Sequence, residues 1–137
     1  MRMRIIPGTI GRSAIFVFAS NEAGLHGAGA AKTALNNYGA KYGHSYGHEG
    51  QSFAIPTKDD TIQTIPIQRV AQYVQGFIAY AIGHPKLNFQ VTQIGCGLAG
   101  FFPYQIAPLF ADAPDNCYFD SAWEKWLPDK PIWGTFE

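Results

Sequence analysis

Along most of the chain, short segments of continuous apolar residues alternate with longer segments in which apolar residues recur at helical spacing. Ala14 to Phe18 is a continuous apolar run, typical of a strand buried on both faces. A glycine-containing loop follows, and alanine-rich residues 30–38 then carry apolar side chains at helical spacing, with Gly39 at a suitable helix end. The pattern therefore predicts strand, glycine loop and helix in that order.

The second half of the chain repeats this order. Apolar residues recur at helical spacing over 67–82 until Gly83, which predicts a helix. Residues 87–94 alternate and then become apolar, which predicts a strand leading into the glycine-rich segment 95–100. A short helix is expected around residues 104–110.

Three shorter segments complete the prediction. Residues 51–56 read as a strand that its final proline ends, and residues 116–119 read as a last short strand. Ser121 and Glu124 have the spacing of a helix capping box. We expect the tail, residues 128–137, to pack across the surface.

Repeated strand–helix units predict a three-layer α/β/α sandwich with a mixed, largely parallel central sheet. The length of 137 residues suits one domain, residues 1–137, with a core at about residues 14–127. Ligands of such sheets bind beyond the carboxyl ends of the strands. Both glycine loops are expected at those ends.

Composition and charge narrow the classes of function. The 10 basic residues balance the 10 acidic ones, only 15% of residues are charged and 47% are hydrophobic. This composition argues against a disordered chain, and the balanced charge argues against binding to nucleic acid, which requires an excess of Lys and Arg. We therefore expect a small-molecule partner rather than a polyanion.

Targeting and cysteine content predict a cytoplasmic protein. No stretch approaches the roughly 18 apolar residues of a membrane span, and residues 1–7 lack the apolar region of a signal peptide. We expect Cys96 and Cys117 to be reduced, because a chain with this much apolar content does not need a disulfide. Two cysteines form no metal-site spacing, and the sequence predicts neither a metal nor a cofactor.

The two glycine loops have features of an anion-binding site. The segment Gly95-x-Gly-x-x-Gly100 lies between a predicted strand and a predicted helix, where backbone N–H groups are able to approach an anion. Asn21, followed by His26-Gly-Ala-Gly29 and a helix, makes a second such loop. If the two loops follow neighbouring strands, they hold a diphosphate between them. A tight turn with no ligand is the alternative for the segment 95–100 taken alone.

These loops resemble those of the macro domain, an ADP-ribose-binding module. The matching segments are the strand ending in Asn21, the loop His26-Gly-Ala-Gly-Ala-Ala31, and Ile94-Gly-Cys-Gly-Leu-Ala-Gly100. They are most similar to the phage-type and ADP-ribose-1″-phosphate phosphatase-like branch. Residues 51–59 also resemble small proteins of phages and prophages, for which the cytoplasm would be that of the host.

The resemblance implies how the loops meet a ligand. Asn21 would face the distal ribose, and Gly27 and Gly29 the diphosphate, with the second loop on its other side. Residues 8–13 contain no Asp or Glu of the kind that macro domains use to recognise adenine. The ligand-binding residues expected are Ser20, Asn21, Gly24, Gly27, Ala28, Gly29, Gly95, Cys96, Gly97, Leu98, Ala99, Gly100 and Phe101.

Three residues carry candidate chemistry. His26 is the expected acid or base and Asn21 would orient water or ribose, although His26 closing the loop and Asn21 capping it are the structural alternatives. Cys96 is either a nucleophile or a small buried filler. Two functions stay open: hydrolysis of an ADP-ribosyl bond or of ADP-ribose-1″-phosphate, and non-enzymatic sequestration of a nucleotide signal.

Residues 38–50 repeat Tyr-Gly every four positions, which predicts a folded surface loop. Its tyrosines either stack on a base or ribose or hold the loop together. His44 and His48 have a zinc-binding spacing only on a helix, which these glycines disfavour. Trp123, Trp126 and Trp133 are expected in the core or at a dimer contact, with the oligomeric state open.

Overall fold

The computed structural model of the chain describes residues 3–5 and 13–136. Its strands and helices are β1 (Met3–Ile5), β2 (Ile15–Asn21), α1 (Gly29–Asn37), β3 (Gly47–Glu49), β4 (Ser52–Lys58), α2 (Ile67–Gly83), β5 (Phe89–Val91), α3 (Pro103–Ile106), β6 (Cys117–Asp120) and β7 (Ile132–Phe136). A 3-10 turn, Ala107–Phe110, continues α3. A second 3-10 turn, Ser121–Trp123, follows β6.

The strands form one seven-stranded sheet in the order β1-β7-β6-β5-β2-β4-β3. Every neighbouring pair among β7, β6, β5, β2 and β4 is parallel, whereas β1 and β3 pair antiparallel at the two edges. The predicted α/β class with a mixed, largely parallel sheet is confirmed. Because the five inner strands run in one direction, their carboxyl ends meet at one edge of the fold.

Strand β2 is buried on both faces, as its continuous apolar sequence predicts. Val17 packs into the larger core cluster, which contains Phe77 of α2. Phe16 packs into a second cluster with Ala34 of α1. Since side chains alternate along a strand, the two clusters lie on opposite faces of the sheet. Helices therefore cover both faces.

Helix α2 spans the residues that the apolar periodicity predicts. Pro66 precedes its first residue and Gly83 is its last. The buried face consists of Val70, Val74, Phe77, Ile78 and Ala81. Phe77 contacts Phe53 of β4 and Phe89 of β5, with ring centroids 5.1 and 5.3 Å apart, and this packing positions the helix on the sheet.

The predicted end of the strand at residues 51–56 is wrong, because this strand, β4, continues through Pro56 to Lys58. Strand β3 pairs only with Ser52 to Ala54, so Pro56 has a paired strand on one side alone. Proline is tolerated at such an edge-like position, where its missing N–H costs no ladder hydrogen bond. The extra two residues bring Lys58 to the same edge as the end of β2.

Two predictions for the C-terminal part are also wrong. The residue that caps the turn after β6 is Asp120, whose carboxylate accepts a hydrogen bond from the Ala122 N–H at 2.9 Å, rather than Ser121. The expected surface tail instead forms β7, which extends the parallel sheet beside β6. Trp133 is fully buried there, and its indole N–H donates to the Val91 carbonyl at 2.8 Å. Burial of the apolar surface of Trp133 stabilises the tail in this position.

Close backbone contacts explain Gly39 and Gly50 of the Tyr-Gly segment, and also Gly24, which packs against it. Most of the segment is loop, and residues 47–49 form β3. A Cβ on Gly24 would lie 2.6 Å from the Gly43 backbone, and Cβ atoms on Gly39 and Gly50 would meet each other's backbone at 3.0–3.2 Å. Tyr46 packs into the space over Gly76 of α2. The segment is thus held against the rest of the chain by packing.

Among residues 3–5 and 13–136, no helix combines the length and apolar character needed to cross a bilayer.

The close contact of Gly24 with Gly43 gives a prediction about stability. Gly24 has a φ of +71° and no room for a Cβ, so Gly24→Ala should lower the free energy of unfolding by more than about 2 kcal/mol. Gly83→Ala is the matched control, because Gly83 has open space and an ordinary φ. Urea denaturation measures both variants. Equal stability of the two variants would contradict the close contact between Gly24 and Gly43.

Candidate functional site

A cavity of about 600 Å³ opens at the carboxyl ends of all five parallel strands. The last residues of four of them, Asn21, Lys58, Asp120 and Phe136, line it, and Thr92 lines it directly after β5. Both glycine loops border the same cavity. The arrangement follows from parallel pairing, which is the general reason why ligand sites of open α/β sheets occur at this edge.

The first loop connects β2 to α1 and is organised by Asn21. The Asn21 Nδ2 donates to the Leu25 carbonyl at 2.7 Å, and its Oδ1 accepts from the Leu25 N–H at 3.0 Å. Both ends of the amide are therefore used to close the loop. Asn21 borders the cavity, but its side chain performs the capping role that the sequence left as an alternative.

The loop leads into the N-terminus of α1 at the cavity. Ala28 is the N-cap residue, so no side chain accepts a hydrogen bond from the first turn of the helix. Gly27, Gly29, Ala30 and Ala31 also line the cavity. The N-terminal end of the helix carries a partial positive charge from aligned peptide dipoles, and its small residues leave the backbone accessible.

Glu22 anchors the first loop to α2, a role that sequence patterns did not reveal. The Arg69 Nη2 lies 2.5 Å from the Glu22 Oε2, and the Tyr73 hydroxyl donates to the same oxygen at 2.6 Å. The carboxylate of Glu22 raises the pKa of Arg69, and burial followed by this hydrogen bond raises the pKa of Tyr73. Glu22 is more than forty positions from Arg69 and Tyr73 in the sequence, so no local sequence pattern predicts the contact.

The second loop, residues 95–100, folds on itself. The Phe101 N–H donates to the Gly95 carbonyl at 2.9 Å, and the Gly100 N–H donates to Gly97 at 3.0 Å. Gly95 and Gly100 have φ values of +74° and +83°, which disfavour other residues. The following helix α3 has only four residues and begins at Pro103, so the loop, rather than a long helix, shapes this side of the cavity.

The structure places most of the predicted ligand-binding residues around the one cavity. Those that line it are Ser20, Asn21, Gly27, Ala28, Gly29, Gly95, Cys96, Gly97, Leu98 and Ala99. Gly24, Gly100 and Phe101 are not in the lining. Gly24 is packed against Gly43, and Phe101 packs with the larger core cluster beneath Gly95.

His26, the expected acid or base, is also outside the cavity lining. It is fully buried, its Nε2 lies 3.0 Å from the Lys41 carbonyl, and its ring packs between Phe18 and Tyr42. Since a carbonyl only accepts, Nε2 is the donor. Through these contacts His26 fixes the first loop to the Tyr-Gly segment, and its side chain does not line the cavity.

The thiol of Cys96 lies at the cavity without the properties of a nucleophile. Burial raises its pKa to about 11, in contrast to the lowering expected beside a helix N-terminus. Cys117 is buried, and its pKa is raised to about 12 by the same cause. Both cysteines are free thiols. These observations favour the small-filler interpretation of Cys96.

Charge in the described lining is sparse and balanced. Lys58 is its one cationic residue and Asp120 its one anionic residue. Within residues 13–136, no group of three or more His, Cys, Asp and Glu residues has the geometry of a metal site. Residues 8–12, where an acidic residue for adenine would be sought, lie outside the described part of the chain.

The rim of the cavity is apolar and includes a strained residue. Leu25, Ile62 and Leu98 line the cavity with exposed side chains. Ile62 has a φ of +65°, which is rare for a β-branched residue. The Asp59 carboxylate maintains this turn by accepting from the Thr61 and Gln63 N–H groups at 2.8 and 2.9 Å. The hydrogen bond from Gln63 is the largest of the causes that lower the pKa of Asp59.

Comparison with known proteins gave no match of this chain to a family model, to a curated protein or to a solved structure.

The strained backbone of Ile62 gives a second prediction. Ile62→Gly should raise the free energy of unfolding by about 1 kcal/mol, because glycine adopts a positive φ without a steric penalty. Ile82 is an exposed residue of α2. Ile82→Gly should instead lower stability by about 0.5 kcal/mol, through helix propensity alone. Thermal and urea denaturation measure both, and a loss of stability in Ile62→Gly would contradict the strain.

The raised pKa of Cys96 gives a third prediction. At pH 8, Cys96 should react with iodoacetamide roughly a hundredfold more slowly than a cysteine in an unstructured peptide, because so little thiolate is present. Mass spectrometry of the native protein follows the modification. The rate should rise with pH well beyond the range in which the peptide thiol has finished ionising. A rate close to that of the peptide would instead indicate an ionised thiol in the cavity.

Proposed function

We propose that this protein binds ADP-ribose or a related nucleoside diphosphate sugar in the cavity at the strand ends. The observation that carries the proposal concerns two glycines, Gly27 of the first loop and Gly97 of the second. Neither has a positive φ, and a Cβ built on either would have no atom within 4 Å. The fold does not require glycine there, yet both residues line the cavity. Close approach of a ligand to the backbone supplies a reason.

The chemistry of the lining suits a diphosphate held by main-chain groups. The accessible backbone of α1 at Ala28 to Ala31 and the opposing loop 95–100 border one space. Helix N-termini and glycine loops bind phosphates without a cluster of cationic side chains. Lys58 adds one positive charge. A net charge of zero for the whole chain is compatible with this mode of binding.

The size and apolar rim of the cavity suit the rest of such a ligand. A volume of about 600 Å³ lies within the usual range for small-molecule and cofactor sites. Leu25, Ile62 and Leu98 provide apolar surface, against which a base or sugar ring packs. The similarity of both loops to macro-domain loops agrees with this ligand class. A cytoplasmic location, where cysteines stay reduced, belongs to the same proposal.

Binding without turnover is the form of the function that the geometry supports best. Asn21 uses both ends of its amide to close its loop, and His26 is buried away from the cavity lining. Neither side chain is in position to activate water. We therefore propose sequestration or recognition of the nucleotide, and hydrolysis would require another residue as the base.

Calorimetric titration with ADP-ribose tests the proposal. The wild-type protein should bind, whereas Gly27→Val and Gly97→Val should each weaken binding by more than about tenfold, or 1.4 kcal/mol, because the new side chains enter the ligand space. Both variants should keep the wild-type melting temperature. Gly83→Val is the matched control, since Gly83 also has open space but is not in the lining. Absence of heat at millimolar ADP-ribose would refute the proposal.

A turnover assay separates binding from hydrolysis. Wild-type protein incubated with ADP-ribose-1″-phosphate should release no more phosphate than the Gly97→Val variant does. Release that requires an intact Gly97 and is lost in His26→Ala would restore the enzymatic interpretation.

A further inference from the structure

Asp120 is a buried carboxylate at the cavity, and its role in the fold does not explain why a charged residue is there. It is the last residue of β6, its exposed fraction is 0%, and it lines the cavity. Its Oδ1 accepts from the Ala122 N–H at 2.9 Å, and its Oδ2 accepts from the Gln93 Nε2 at 3.3 Å. No ion pair to Lys, Arg or His is found for it within residues 13–136. Burial of a carboxylate with so few donors is costly.

The capping role of Asp120 does not explain its charge. Capping of the 3-10 turn Ser121–Trp123 uses one oxygen, and the amide oxygen of an asparagine would accept the same N–H. A carboxylate offers about four acceptor positions, and the hydrogen bonds found within residues 13–136 use two of them. Since Asp120 borders the cavity, a donor on a ligand is suited to the others.

Gln93 extends the acceptor surface beside Asp120. A carboxylate only accepts hydrogen bonds, so the Gln93 side chain must direct its Nε2 at Asp120, which leaves its amide oxygen as a further acceptor. Gln93 also lines the cavity. The pair therefore presents several acceptors and one remaining amide donor, a pattern that complements neighbouring hydroxyl groups rather than a phosphate.

The place of Asp120 in the sheet supports a sugar as the donor. Val91 of β5 pairs with Phe119 of β6, so Asp120 lies level with Thr92, where the chain turns toward the second glycine loop. An acidic residue at the end of the strand next to a glycine loop, about 20 residues further along the chain, is how dinucleotide-binding sheets hold a ribose hydroxyl. Asp120 follows Gly100 by that interval.

We infer that Asp120, assisted by Gln93, accepts hydrogen bonds from a ribose diol of the bound nucleoside diphosphate sugar. The inference rests on the proposed function and adds a residue that determines specificity for the sugar. Repulsion between the carboxylate and phosphate oxygens would also keep the diphosphate toward α1 and Lys58. Asp120 thereby sets the orientation of the ligand in the cavity.

Titration of Asp120→Asn with ADP-ribose tests this inference. The variant keeps the shape and an oxygen for the Ala122 N–H, so we expect its melting temperature to stay within a few degrees of wild type. Its affinity should fall roughly ten- to a hundredfold, the range expected for hydrogen bonds to a charged group. Asp112→Asn is the matched control, because Asp112 is exposed and outside the lining, and its affinity should be unchanged.

Ligand analogues identify the group of the ligand to which Asp120 binds. If Asp120 holds the adenosine ribose, the affinity loss of Asp120→Asn should disappear with 2′-deoxyadenosine diphosphate ribose. If it holds the distal ribose, the loss should disappear with ADP. In either case the loss should persist with the hypoxanthine analogue. Disappearance only with the hypoxanthine analogue would show recognition of the base amino group and overturn the inference. A loss of the same size with every analogue would overturn it as well.

The wild-type protein provides a measurement that does not depend on a variant. It should bind ADP-ribose more tightly than at least one of 2′-deoxyadenosine diphosphate ribose and ADP, each of which lacks one of the two ribose diols of ADP-ribose. Equal affinity for all three would overturn the inference while leaving the proposed function intact. No binding of ADP-ribose by the wild-type protein would overturn both.

Discussion

Parallel pairing of five strands is the constraint on which the rest of the structure depends. A strand that joins a parallel sheet must have its carboxyl end at the same edge as its neighbours, so β4, β2, β5, β6 and β7 all deliver a residue to one cavity. Parallel sheets require cover on both faces. Helices α1 and α2 supply it, and the tight packing of Phe16 and Val17 on opposite faces holds the strand ends in place.

The cavity combines a rigid scaffold with loops that are held from outside. Glu22 joins the first loop to α2 through Arg69 and Tyr73, and His26 joins it to the Tyr-Gly segment through Lys41. The Thr64 hydroxyl donates to the Ala99 carbonyl at 2.9 Å, which attaches the second loop to the turn after β4. The polar side chains of Glu22, His26 and Thr64 thus position the backbone of the two loops, which lines the cavity.

Local patterns were sufficient to predict those parts of the fold that local physics determines. The apolar run at Ala14 to Phe18 and the periodicity of residues 67–82 each describe the surroundings of one element, and the strand and the helix that they predict are confirmed. The proximity of the two glycine loops also followed, because parallel strands place their ends together. Roles set by partners distant in sequence did not follow. The tail was expected on the surface, because its pairing with β6 is a contact that no local pattern shows. His26 was expected at the ligand, because its packing with Phe18 and Tyr42 also depends on the folded chain.

The ends of the sheet affect how molecules of this protein meet one another. Both edge strands, β1 and β3, have three residues each and run antiparallel to the rest. At β3, Glu49 lies 3.3 Å from the Lys41 Nζ and 3.4 Å from the His44 Nδ1. An exposed strand edge is a template for pairing with another chain, and short, charged edges oppose it. Crowded molecules of this protein are therefore poorly suited to join edge to edge into a continuous sheet through β3.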